Sequence, residues 1–201
     1  MAAAGRVRVA VLISGAGSNM AALIDAARAP DYPAEIAVVV SNRPEAAGLR
    51  LAAAPGVPTA AVDHRAFGTD REAHERAIDA VLDAHGVELA ALAGYMRVLT
   101  PWLVQRWRGR MINVHPSLLP LYPGLDTHAR ALAAGDAEAG CTVHLVTPGV
   151  DEGPVLGQAR VPVLADDSPL SLAERVRTAE HRLYPAVLAE VARGLRSGPA
   201  S

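Results

Sequence analysis

The sequence predicts one α/β domain in which helices cover both faces of a mostly parallel, twisted sheet. Short apolar runs bounded by Gly, Pro and Asn alternate with helical stretches, a pattern typical of parallel sheets buried on both sides. The last third ends in a stretch with an apolar stripe at helical spacing, which predicts a long C-terminal helix. A length of 201 residues suits a single domain over 1–201 with a core at about 7–193.

The expected elements follow one another along the chain. Strands are predicted at 8–13, 36–40, 59–62, 88–92, 111–114 and 142–146. Helices are predicted at 19–29, 45–54, 70–85, 101–107 and 127–134. A further strand at 155–163 follows a Gly/Pro/Asp loop. The last helix is expected at 170–193, with an apolar stripe made of Val176, Ala179, Leu183, Ala186 and Val187.

Composition excludes several classes of function. The 19 basic and 21 acidic residues give a net charge of −2, so nucleic acid is not the expected partner. All the basic residues are arginine, which excludes Schiff-base chemistry on lysine and a Walker A phosphate loop. The only cysteine, Cys141, cannot form an intrachain disulfide, and the first apolar run is too short to span a membrane. We therefore expect a cytoplasmic protein that does not bind membranes.

A glycine-rich turn, Ser14-Gly-Ala-Gly-Ser-Asn19, connects the first strand to the first helix. Glycines allow a sharp turn, and the N–H groups at a helix N-terminus suit a phosphate. A dinucleotide fingerprint fits less well, because Met20 replaces its third glycine and no acidic residue follows the second strand. We predict a single phosphate, with a purely structural turn as the alternative.

Two polar motifs follow later strands. Asn113 and His115 are two residues apart on one strand, so both point to the same face, at the end where parallel α/β sheets bind ligands. Asp151 lies in a Gly/Pro loop, where it either caps a turn or reaches His115 and favours its protonated form. No metal is predicted, because the histidines lack a recognised ligand spacing. No nucleophilic serine elbow occurs in the sequence.

Four segments, taken in order, resemble the glycinamide ribonucleotide transformylases, a family of folate-dependent formyltransferases. They are VLISGAGSN at 11–19, LAGYMRVL at 92–99, NVHPSLLP at 113–120 and DEGP at 151–154. The resemblance extends from about residue 7 to residue 193. It implies a Rossmann-like formyltransferase fold, with 10-formyltetrahydrofolate as cosubstrate, phosphoribosylglycinamide as acceptor and no metal. We also expect a monomer or a weak homodimer.

The resemblance implies a role for each matching position. Asn113, His115 and Asp151 match the catalytic trio. The substrate phosphate and ribose are assigned to Gly17, Ser18, Asn19 and Glu180. The folate pocket is assigned to Arg71, Met96, Arg97, Val98, Leu99 and again Asn113. Two positions depart from the family: Leu121 stands where many members have a basic residue, and Asp126 where others often have His. Phosphate binding would then depend more on the helix N-terminus and on an arginine elsewhere.

The alternatives are related or simpler proteins. Formyltetrahydrofolate deformylases and methionyl-tRNA formyltransferases resemble the chain around Asn113 and His115. The former carry an additional N-terminal domain and the latter a C-terminal one, whereas here the first strand begins near residue 7 and one helix ends the chain. A non-catalytic phosphometabolite-binding module would need the Gly17 loop but neither Asn113 nor Asp151.

Overall fold

The computed structural model describes residues 5–197, so 1–4 and 198–201 of the predicted domain lie outside the described residues. Within this range the strands form one sheet in the order β3-β2-β1-β4-β5-β6-β7. The strands are β1 Val7–Ile13, β2 Ala34–Ser41, β3 Thr59–Ala61, β4 Leu89–Leu92, β5 Met111–His115, β6 Glu138–Leu145 and β7 Val155–Pro162. The helices are α1 Ser18–Ala27, α2 Ala47–Ala53, α3 Arg71–Ala84, α4 Pro101–Arg106, α5 Thr127–Ala134 and α6 Pro169–Ser197.

The first five strands pair in parallel, and β6 and β7 continue the sheet antiparallel. The chain leaves β1 toward β2 on one side and later returns as β4 on the other side. The strand order therefore reverses between β1 and β4, where open α/β sheets have a crevice at the strands' carboxyl ends. The predicted mostly parallel α/β fold is confirmed.

Successive side chains of the central strands belong alternately to two apolar layers, one on each face of the sheet. Val9 and Val11 of β1 pack in one layer with α1, α2 and α6. Ala10 and Leu12 pack in the other layer with α3 and α4. Since a strand presents successive side chains to opposite faces, both layers are continuous along the sheet. Helices therefore cover both faces, as the nearly uninterrupted apolar character of β1 predicts.

The long C-terminal helix is confirmed, and it is longer than expected. α6 covers Pro169–Ser197 and contains Pro185. The stripe prediction was wrong at Ala186, which is exposed, whereas Tyr184 and Leu188 are fully buried. The Tyr184 hydroxyl donates to the Leu92 carbonyl at 2.9 Å, which explains how a polar ring lies in the core.

Two local predictions need correction. β6 begins at Glu138 rather than near 142, because its first residues pair antiparallel with the end of β7. Gly140 interrupts the apolar pattern, yet a Cβ there would collide with the Ala159 backbone, so close strand approach requires glycine. A short 3₁₀ turn at His64–Phe67 was not predicted; the Asp63 carboxylate accepts the Arg65 N–H at its start.

Candidate active site

The polar motifs lie along one edge of the sheet. β1 pairs with β4 and β4 with β5, all in parallel, so the segments that follow these strands are neighbours. Ser14 follows β1, the 93–100 segment follows β4, and His115 ends β5. This edge includes the reversal between β1 and β4, where the topology favours a ligand crevice.

The structure brings Asp151 to the two polar residues of β5. Asp151 Oδ2 lies 3.3 Å from His115 Nδ1, and Oδ1 lies 3.6 Å from His144 Nε2. The Asn113 amide nitrogen is 3.2 Å from the same His144 nitrogen. Asp151 adopts a left-handed backbone with φ of 57°, and its Oδ2 also accepts the Gly124 N–H at 2.9 Å. The four side chains therefore form one connected group.

Hydrogen bonding in this group constrains where the protons can be. His115 Nε2 lies 2.9 Å from the Tyr122 carbonyl oxygen, so both ring nitrogens of His115 face oxygen acceptors. A doubly protonated ring satisfies both acceptors. Burial raises the pKa of Asp151, but the hydrogen bonds from His144 and Gly124 and the two imidazoles outweigh burial and hold it below its usual value. The carboxylate is therefore charged near neutral pH.

His144 is the residue of this group that the sequence interpretation missed. It lies on β6 directly opposite Asn113. Its Nδ1 is 2.9 Å from the Leu145 carbonyl oxygen, and its Nε2 lies 3.2 Å from the Asn113 amide nitrogen and 3.6 Å from Asp151 Oδ1. Only the antiparallel register between β5 and β6 reveals this neighbour.

The glycine-rich turn and the C-terminal helix meet beside this edge. Gly17 caps α1 in the left-handed region with φ of 76°, and Ser18 begins the helix. Gly17 has no side chain with which to cap α1, so the first-turn N–H groups of this helix favour an anion. The Asn19 amide donates to Glu180 Oε2 at 2.7 Å, across 161 positions of the sequence. Gly17, Ser18, Asn19 and Glu180 thus lie together.

Glu180 is a carboxyl group in an unfavourable place for a charge. Only 7% of it is exposed, and burial raises its pKa, opposed by the Asn19 hydrogen bond and the Arg177 charge. Arg177 is exposed and also acts electrostatically on His128 and His181, whose pKa values are lowered first by burial. Arg177 is thus a cation next to the Glu180 region that sequence interpretation did not identify.

The segment after β4 presents apolar side chains to solvent. Met96 is 67% exposed and Val98 is 60% exposed, while Arg97 and Leu99 are partly buried. Exposed apolar residues that lie together at a crevice are typical of a ligand surface. Arg71, at the start of α3, donates to the Val98 carbonyl at 3.4 Å. Arg71 therefore contacts the 96–99 segment, whereas Asn113, also assigned to the folate pocket, lies on β5, the strand next to β4.

Other regions offer less to the chemistry. A groove of about 520 Å³ lies between β7 and α6, and none of the site residues lines it. Among residues 5–197, no group of three His, Cys, Asp or Glu side chains is arranged to hold a metal ion. In the same part of the chain, no helix is long and apolar enough to cross a membrane.

Residues 7–188 match the model of the formyl transferase family. The chain belongs to this family. It is 44% identical over 188 residues to the phosphoribosylglycinamide formyltransferase of Escherichia coli (strain K12), covering 94% of this chain and 88% of that relative. It is 46% identical over 189 residues to the human trifunctional purine biosynthetic protein adenosine-3, of which it spans only 19%. It spans 14% of the Drosophila melanogaster counterpart, at 48% identity.

Solved structures of family members have the same architecture. The phosphoribosylglycinamide formyltransferase of Brucella melitensis is 54% identical and superposes with a TM-score of 0.90, covering 94% of this chain and 97% of that one. The glycinamide ribonucleotide transformylase 1 of Symbiobacterium toebii is 44% identical, also with a TM-score of 0.90. The match extends over nearly the whole of these chains and therefore includes the edge that carries Asn113, His115 and Asp151.

Proposed function

We propose that the chain transfers the formyl group of 10-formyltetrahydrofolate to the amine of 5-phosphoribosylglycinamide in de novo purine biosynthesis. The observation that carries the proposal is the position of the Asn113, His115, His144 and Asp151 group. It lies on the sheet edge shared by an exposed apolar segment on one side and the Gly17 turn on the other. The names of the relatives support the same reaction.

The reaction needs an oxyanion stabiliser and a route for one proton. The substrate amine attacks the formyl carbon, the bond to the folate nitrogen breaks, and one proton moves from the amine to that nitrogen. The Asn113 amide keeps one N–H for the oxyanion while the other faces His144. Protonated His115 adds positive charge beside it, and Asp151 holds that charge and accepts a proton directly or through water. No covalent enzyme intermediate is required.

The Gly17 side of the crevice suits the phosphorylated substrate. The first-turn N–H groups of α1 favour an anion, and Arg177 supplies the cation that Leu121 cannot provide. Glu180 uses one oxygen for Asn19 and has the other for a ribose hydroxyl. We infer that Gly17, Ser18 and Asn19 hold the phosphate and Glu180 the ribose.

The 96–99 side suits the folate. Met96 and Val98 offer exposed apolar surface for the pterin ring, and Leu99 lies partly buried beside them. Arg71 and Arg97 supply the cations that the acidic end of a folate requires. Neither arginine forms an ion pair among the described residues, so both charges are available to a ligand.

A turnover assay with both substrates tests the function. We expect formation of formylated phosphoribosylglycinamide with equimolar loss of 10-formyltetrahydrofolate, and roughly a hundredfold or larger loss of rate in Asn113→Ala. Formate release without the amine would instead identify a deformylase, and formylation of methionyl-tRNA a tRNA formyltransferase. Binding of both ligands without turnover would identify a binding module. The assay run without metal and with chelator tests the expected metal independence, and cell fractionation tests cytoplasmic location.

A further inference from the structure

The 96–99 segment has no regular secondary structure, yet hydrogen bonds fix the backbone at both of its ends. At its start, the Met96 N–H donates to Ser14 Oγ at 2.8 Å, and the Ser14 hydroxyl donates to Asn42 Oδ1 at 2.6 Å. Ser14 and Asn42 are both buried. The start of the segment is therefore attached to the ends of β1 and β2.

The other end is attached to a buried carboxylate on α3. Thr100 immediately follows the segment, and its N–H donates to Glu75 Oε1 at 2.8 Å. The Thr100 hydroxyl donates to Glu75 Oε2. Thr100 is the N-cap residue of α4, but its side chain does not cap that helix. A threonine in this position ordinarily accepts a helix N–H; here its hydroxyl is directed to Glu75 instead.

Glu75 is placed for this task by helical spacing. It follows Arg71 by four residues, so the two side chains lie on the same face of α3. Arg71 contacts the Val98 carbonyl, and Glu75 contacts Thr100 two residues further on. Only 3% of Glu75 is exposed, although no ion pair partners it among residues 5–197. A buried carboxylate is costly, and among the described residues both hydrogen bonds that Glu75 accepts come from Thr100.

We propose that Glu75 is a positioning residue for the formyl-folate, acting through Thr100 to hold the 96–99 segment in the conformation that binds this cosubstrate. The inference rests on the proposed function, because it takes the 96–99 segment as the folate surface. Glu75 itself does not touch the ligand. Its loss should therefore weaken folate binding and leave the phosphorylated substrate's site, at Gly17 and Glu180, as it is.

Asp79 offers a matched control on the same helix. It follows Glu75 by four residues, is 8% exposed, and also binds α4 through two hydrogen bonds. Its partners are Trp107 Nε1 at 2.7 Å and Arg106 Nε at 3.1 Å, at the far end of α4. Removing Asp79 should therefore cost stability as removing Glu75 does, but should not release the 96–99 segment.

The experiment compares Glu75→Ala, Glu75→Gln, Thr100→Val and Asp79→Ala in the full chain. We measure KM for each substrate, kcat, and the Kd of 10-formyltetrahydrofolate by calorimetry, with Tm as the measure of stability. Glu75→Ala should raise the folate KM and Kd about tenfold, since two hydrogen bonds to a charged group are lost, and leave the KM for phosphoribosylglycinamide within about twofold. Glu75→Gln, which can still accept the Thr100 N–H, should recover most of the affinity.

The remaining variants decide between positioning and simple stability. Asp79→Ala should lower Tm with an unchanged folate Kd. Thr100→Val, which removes only the hydroxyl, should raise the folate Kd by a few fold and keeps the test valid if Glu75→Ala does not fold. An unchanged folate Kd in folded Glu75 and Thr100 variants, or equal changes for both substrates, would overturn the positioning role alone. A wild-type chain that neither binds nor uses formyl-folate would overturn the proposed function, and the positioning role with it.

Discussion

His115 and Asp151 are close enough that the effect of each depends on the other. Their side chains approach to 3.3 Å in a nearly buried environment, with only 7% and 11% of the side chains exposed. An electrostatic interaction is much stronger there than in water. We therefore expect the Asp151 charge to act mainly through His115, the nearer of its two imidazole neighbours, so that little of its effect on turnover remains once His115 is removed.

This proximity predicts non-additive losses. His115→Ala and Asp151→Asn should each reduce kcat by about a hundredfold or more. The double variant should resemble the slower single variant, because residues acting as a unit are not additive. Single-turnover rates of the four proteins measure the coupling. If the rate loss in the double variant equals the product of the two single losses, the two residues act independently, and Asp151 only caps a turn.

Asp126→Asn is a suitable control for Asp151→Asn. Asp126 also has a left-handed backbone, with φ of 57°, and it is exposed at the N-terminus of α5, so Asp126→Asn makes the same chemical change away from His115. We expect it to leave kcat within about twofold, since it lies outside the proposed charge pair.

A second prediction concerns Glu180, whose buried carboxylate should lower the stability of the folded chain while it contributes to substrate binding. Burial raises its pKa, so the folded chain holds this proton more tightly than the unfolded chain. The free energy of unfolding therefore falls as the pH rises from the ordinary pKa of a glutamate to the raised pKa of Glu180 in the folded chain, and it stays lower above that pH. Glutamine does not titrate. The free energy of unfolding of Glu180→Gln, relative to that of the wild type, should therefore be higher at pH 7 than at pH 4.

Urea unfolding at both pH values measures this difference, and steady-state kinetics measure the functional cost. The KM for phosphoribosylglycinamide should rise about tenfold or more, because a charged acceptor for the ribose is lost. Glu190→Gln makes the same change at an exposed position of α6 and should affect neither quantity appreciably. A stability difference that does not depend on pH would contradict the burial effect.

At the level of elements, the start of α1 has to serve both folding and binding. Gly17 has φ of 76°, and a Cβ there would lie 3.0 Å from Met20 Cε and 3.1 Å from Gly48 Cα. A side chain is thus disfavoured both by the backbone conformation and by the packing of α1 against α2. Gly15, two residues earlier, has no atom within 4 Å of a Cβ, and its φ is not in the left-handed region.

Substitution of these two glycines should therefore have different effects. Gly17→Ala should lower the free energy of unfolding by about 1 kcal/mol or more and raise the KM for phosphoribosylglycinamide. Gly15→Ala should leave stability within about 0.5 kcal/mol of wild type. Chemical denaturation and steady-state kinetics measure both. Equal stability of the two variants would mean that α1 adjusts its first turn without cost.

At the level of the whole molecule, the two edges of the sheet limit self-association. β3 is only three residues long. β7 is longer, but it ends at Pro162 and carries the exposed Arg160, which pairs with Glu138 of β6. Short strands, edge charges and proline are features that discourage pairing between sheets.

We therefore predict a monomer or a weak homodimer. Sedimentation velocity at micromolar concentration should give mainly a 20.9 kDa species. Arg160→Val removes the charge from the edge and should increase concentration-dependent association. A tight wild-type dimer that persists at nanomolar concentration would contradict the prediction.

The sequence by itself determined the features that depend on neighbours along the chain. The alternation of apolar runs and helical stretches was sufficient for the mostly parallel sheet and for the long final helix. Asn113 and His115 share a face because side chains alternate along any strand. The Gly17 turn and the start of α1 follow from the conformational freedom of glycine next to a helical pattern.

Tertiary structure decided the contacts between residues far apart in sequence. The antiparallel register of β5 and β6 brings His144 to Asn113, and the 151 loop then reaches both histidines. Glu75 gave no sign of its contact with Thr100, because a glutamate on a helix is ordinarily exposed. Such contacts depend on which surfaces the packed sheet and helices bring together. Local propensity carries no information about that pairing, so only the folded chain reveals it.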